Sequence, residues 1–121
     1  MSSGLWKDLA AGDIVFVDSS HVFKSGSDVE YEFWHVYPQL ASGVFIHIHD
    51  IFFPNDYPIE WNLKDSRFWN EQNVLAAVLA NSDRYEVVVC NSALHAAGLV
   101  APLFPSFRGD YSPGSIWLRV N

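Results

Sequence analysis

Apolar residues gather in short runs of strand length, parted by polar stretches that carry glycine, proline and serine. Asp13-Ile-Val-Phe-Val-Asp18 is the first run. Its β-branched residues and near-continuous apolarity predict a buried strand in a parallel sheet. Gly43 to His49 reads as a second strand and Arg84 to Val89 as a third. Ser115 to Val120 alternates well enough to predict a last strand that is half exposed or antiparallel. Helical stretches fall between them. Leu5, Trp6 and Leu9 suggest the end of an amphipathic helix stopped at Gly12. Asp28 is placed to cap a helix from Val29 to about Tyr37, with Glu30 and Glu32 in its first turns and Pro38 and Gly43 at its exit. A further helix is expected from about Phe68 to Ala80, where Trp69, Asn73, Ala76 and Leu79 are spaced like helix faces, and a short one near Leu94 to Leu99. The order β-α-β-α-β-β predicts an α/β fold with right-handed crossovers in its parallel part.

Two connections interrupt this order. Ser19 to Ser27 is a polar loop. Phe52 to Asp65 is a long irregular segment with Pro54, Pro58, Tyr57 and Trp61. Such length inside a compact domain marks a lid or a binding loop.

Length and composition narrow the classes. The 121 residues make one domain, and 50% hydrophobic content is enough for a packed core, which argues against disorder. Fourteen acidic residues against seven basic give a net charge of −7, so nucleic acid and anionic membranes are not expected partners. No apolar run approaches the roughly 20 residues that span a bilayer. Residues 1–12 lack a basic start followed by an apolar stretch, so no signal peptide is expected. The lone cysteine, Cys90, excludes an intrachain disulfide, points to a reducing cytoplasm, and reads as a small core residue.

Ligands of open α/β sheets bind at the carboxyl ends of the strands. Two of those ends are polar here, Asp18-Ser-Ser-His21 and His47-Ile-His49-Asp50. If the first two strands are neighbours, Asp18, His21, His49 and Asp50 meet at one rim. Carboxylates and imidazoles together suit a divalent cation, and a histidine suits proton transfer near neutral pH. Each residue also has a plainer role. Asp18 can cap the loop that follows it. His47 fits a hydrogen-bonded core histidine. His49 and Asp50 point to opposite faces unless the strand stops at His49. Trp61, Phe68 and Trp69 can line a pocket or simply pack the loop onto the domain. His35 and His95 have no evident partner.

The runs "DIVFVDSSHVFKSGSDVEYEFWHVYPQLASGVFIHIHDIFFPNDYPIEW" and "RFWNEQNVLAAVLANSDRYEVVVCNS", with the last strand "GSIWLRV", resemble the C-terminal half of a class I S-adenosylmethionine-dependent methyltransferase. The resemblance implies a Rossmann-like half-sheet, mostly parallel with an antiparallel last strand, formed by the family's strands four, five, six and seven in the order 4-5-7-6. It implies metal ligands at Asp18, His49 and Asp50, a general base at His21, and a divalent cation such as Mg²⁺, as in the metal-dependent O-methyltransferases. His49 departs from the family pattern, which has a carboxylate there. The family holds its cofactor with a glycine-rich turn after strand one, and this sequence contains no GxGxG. Met1 stands directly before strand four, so the chain looks like a truncated or separately encoded half.

Two expectations follow. The first is the substrate-side half of an O-methyltransferase for a small hydroxylated molecule, inactive alone. The second is a non-enzymatic binding or assembly module built on the same half-sheet. A metal-dependent hydrolase fits less well, since neither a nucleophile elbow nor HExxH is present. The open side of the first strand is expected to be covered by a second copy, by a partner chain, or by the segment Leu5–Leu9.

Overall fold

The structure, a computed structural model, describes residues 4–109 and 113–121. A 3-10 turn, Leu5–Asp8, leads into strand β1, Ile14–Val17. Helix α1, Asp28–Tyr31, runs on as a π-helical turn, Glu32–Val36, and a 3-10 turn, Tyr37–Gln39. Strand β2 spans Phe45–His49. Helices α2, Ile59–Leu63, and α3, Glu71–Asn81, precede strand β3, Tyr85–Cys90. Helices α4, Asn91–Ala96, and α5, Val100–Leu103, precede strand β4, Ser115–Val120.

The four strands form one sheet in the order β1-β2-β4-β3. β1 and β2 are parallel, and β4 runs antiparallel to both β2 and β3. The chain is therefore an α/β protein with an open mixed sheet, and its last strand is antiparallel as its alternation predicts. Gly43 closes one end of this arrangement. It sits at φ 85°, its N–H donates to Val120 O at 2.8 Å, and a Cβ there would lie 2.6 Å from that of Ala11. Only glycine meets both conditions without strain.

The two faces of the sheet differ. Val15, Val17, Ile46, Ile48, Ile116, Leu118 and Val120 pack on one face against Val29, Phe33, Val36 and Leu40 of the first helical segment and Leu75 of α3. Full burial of one such aliphatic side chain contributes about 1.5–3 kcal/mol. On the opposite face Ile14 and Phe16 are 56% and 59% exposed, and the turn Leu5–Asp8 does not shield them. The near-continuous apolarity of residues 13–18 predicts a strand covered on both sides. β1 is instead an edge strand covered on one.

Three local differences have physical causes. The first helix is capped by Ser27, whose Oγ accepts from Glu30 N–H at 3.1 Å. Asp28 lies inside it and accepts from Ser20 N–H at 2.8 Å. Ser27 already holds the extended backbone a cap requires, at φ −80° and ψ 161°. The expected helix over 68–80 begins at Glu71, because Phe68 has φ 49°, outside the helical region. Within the long connection the structure adds the short helix α2, and the short helix expected at 94–99 becomes α4 and α5. Cys90 is half-buried, and its thiol donates to Phe53 O at 3.3 Å.

Candidate functional site

The carboxyl ends of β1 and β2 lie side by side, since Val17 is in register with Ile48. β2 stops at His49, and Asp50 follows at φ 55°. That left-handed residue cancels the alternation of the strand, so His49 and Asp50 serve the same rim. His21, in the loop after β1, also has a positive φ, 58°. Two of the four non-glycine residues with positive φ among the described residues are thus at this rim, a conformation that costs about 1–3 kcal/mol each and persists only where surroundings enforce it.

The enforcement at His21 is visible. Its carbonyl accepts from Asn70 N–H at 3.0 Å and Glu71 N–H at 3.2 Å, so it satisfies the first donors of α3. Asn70 Oδ1 accepts from Phe23 N–H at 2.6 Å. Trp69 lies against the imidazole with ring centroids 4.2 Å apart. Docked in this way, the His21 ring is buried, and its Nδ1 lies 2.8 Å from Oε2 of the fully buried Glu71.

The other ring nitrogen faces the rim. His21 Nε2 is 3.5 Å from Asp18 Oδ1 and 3.7 Å from Asp50 Oδ2. His49 Nδ1 is 3.7 Å from Asp18 Oδ1 and 3.3 Å from Asp50 Oδ1. All four residues singled out in the sequence therefore meet. One donor atom each from Asp18, His21 and Asp50 lies within 4.8 Å of the others. Burial alone would lower the His21 pKa. The hydrogen bond and charge of Glu71, then the charges of Asp50 and Asp18, outweigh it and raise the pKa above its ordinary value.

A cavity of about 720 Å³ opens beside the rim, lined among others by His47, His49, Asp50, Phe52, Trp61 and Asn91. His47 does not join the rim. It stacks on Trp117 at 4.2 Å and lines this cavity, and burial followed by the His49 charge lowers its pKa. Trp61 is both a cavity wall and a packing residue, with Arg67 4.4 Å above its ring. Phe68 is exposed, and His35 and His95 contact Tyr31 and Phe107 away from the site.

Behind His21 lies a second acidic group. The carboxyl of Glu32 is pushed up to about 7, first by burial and then by the charges of Glu71 and Asp28. Glu71 and Glu32 were not singled out in the sequence. In "FWNEQN" Glu71 reads as an ordinary acid in a first helical turn, and Glu32 as part of an acidic helix start. No local pattern joins His21 to a residue 50 positions later.

The donor set fits a divalent cation. Two carboxylates and an imidazole whose far nitrogen is fixed by a carboxylate make a common arrangement for first-row metals. The sequence has no GxGxG turn of the kind that holds S-adenosylmethionine. Comparisons with protein-family models, curated proteins and solved structures found no match.

Proposed function

We propose that this chain is the substrate-side half of an S-adenosylmethionine-dependent O-methyltransferase, acting on a small hydroxylated molecule and inactive without a cofactor-binding partner. The observation that carries this is His21, held at Nδ1 by Glu71 and presenting Nε2 to two strand-end carboxylates beside a cavity. In this assignment the substrate lies in the cavity with a hydroxyl toward His21 Nε2. His21 accepts the hydroxyl proton, and Glu71, Asp50 and Asp18 stabilise the imidazolium that forms. Asp18, His49 and Asp50 would hold a divalent cation, which would supply a lowered pKa for a coordinated hydroxyl and leave His21 Nε2 free for the proton. The strand order, with the antiparallel strand between its two neighbours, supports the methyltransferase relationship because it is the order that family places at this end of its sheet.

The test is a nuclear magnetic resonance titration with phenol and methyl glucoside as hydroxylated probes. Shifts confined to His21, His49 and Trp61, lost in Asp50→Asn, are expected. Probes that leave these resonances unmoved would end the assignment.

The bare sheet face and the missing glycine turn favour a second function, a non-enzymatic binding module. Calorimetry with S-adenosylmethionine tests the loss of cofactor affinity that both readings require. No heat is expected from this chain alone, and micromolar binding would refute the loss of cofactor affinity.

A further inference from the structure

β1 lies at the edge of the sheet, with β2 its only strand neighbour among the described residues. Asp13 O accepts from Phe45 N–H at 2.9 Å, so in this parallel ladder the odd-numbered residues face β2. The N–H and C=O groups of Ile14 and Phe16 therefore point to the open side. Their side chains stand more than half exposed on the uncovered face; Ile14 lines an apolar groove of about 490 Å³ with Phe45, Val88, Phe104 and Trp117, and the Phe16 ring lies beside His47. Unpaired backbone groups beside apolar side chains form a template for an added strand.

Charge decides which strand. Asp13 and Asp18 flank the edge, and both are exposed. A second copy laid antiparallel, with Ile14 opposite Phe16, would bring Asp13 of each copy within one residue of Asp18 of the other. Both ends of the pairing would then carry like charges, between chains of net charge −7. A different chain with lysine or arginine at those two places meets attraction at both ends.

We propose that the β1 edge is a docking site for a strand of another protein, apolar toward Ile14 and Phe16 and basic at both ends, rather than for a second copy of this chain. The docking shares Asp18 with the rim, so its test reads Asp13 and Phe16, to which the assigned reaction gives no role. The pairing uses backbone hydrogen bonds from Ile14 and Phe16, apolar contact across the bare face, and ion pairs at Asp13 and Asp18.

Fluorescence anisotropy with two labelled peptides tests this. Both have a core of alternating valine and threonine, one flanked by lysines and the other by glutamates. The lysine-flanked peptide is expected to bind at least about ten-fold more tightly at low salt. The gap should shrink as salt rises. Asp13→Asn should narrow it, and Phe16→Glu should abolish binding while circular dichroism stays unchanged. Equal affinity for the two peptides, or no binding of either at millimolar concentration, overturns the proposal. So does sedimentation showing a dimer that Phe16→Glu dissociates. None of these outcomes bears on the probe titration at His21, so the two proposals fail separately.

Discussion

His21 gains its character from the two atoms its ring nitrogens face. Glu71 fixes Nδ1 at 2.8 Å, and the strand-end carboxylates face Nε2. Glu71→Gln is expected to lower the His21 pKa, read by imidazole proton shifts, and to destabilise the fold by about 1–3 kcal/mol, because a buried amide replaces a charge-assisted partner. The sign of the pH dependence follows from the raised pKa. Protonated His21 contributes stability below pH 6.5, and that contribution fades as pH rises through its raised folded value. Glu32 acts in the same direction for a different reason. Its folded pKa is about 7 against 4.5 when unfolded, so stability falls as pH rises between those values. Glu32→Gln should remove that slope and stabilise the protein at pH 8 by about 1–2 kcal/mol after solvent screening, measured by urea unfolding at pH 4 and pH 8. Gly114 governs the cavity wall. A Cβ there would meet the Phe52 ring at 2.5 Å, so Gly114→Ala should cost about 1–3 kcal/mol and displace a lining residue.

One side chain of α3 makes three hydrogen bonds to the long connection after β2. Gln72 Oε1 accepts from Phe52 N–H at 3.0 Å, and its Nε2 donates to Asn55 O at 3.2 Å and Asp56 Oδ1 at 3.3 Å. Gln72→Ala should therefore speed amide exchange at residues 52–57 while leaving the sheet protected, with a stability loss of about 2 kcal/mol. These elements also show what the sequence could reveal. Strands were legible because apolar runs and their alternation are local, and the meeting of Asp18 with Asp50 followed from two neighbouring parallel strands. The convergence of His49 with Asp50 depended on one backbone angle, φ 55° at Asp50, which no residue type announces. Glu71 was hidden because its role exists only where α3 meets the loop after β1. The exposure of β1 was hidden for the opposite reason. Its composition calls for cover on both faces, and composition does not say whether the same chain supplies it.

At the size of the whole chain, an acidic surface coexists with a bare apolar face. The net charge of −7 disfavours self-association, while Ile14, Phe16, Val88 and Phe104 offer uncovered area. The folded protein is expected to enhance the fluorescence of an apolar dye at pH 7 without any denaturant, and Phe16→Glu should reduce that signal. A native state that leaves the dye dark would show the face to be covered. The position of β4 has a different consequence. It follows the other three strands in the chain, yet among the described residues it is the only strand that touches both β2 and β3. Until residues 115–120 leave the ribosome, β2 lacks its second neighbour and β3 has none. Closure must then bridge the 65 or more positions that part His49 from Ser115. Assembly of this sheet is thus a late, long-range event, and a premature stop before β4 would release a chain in which β3 has no described strand to pair with.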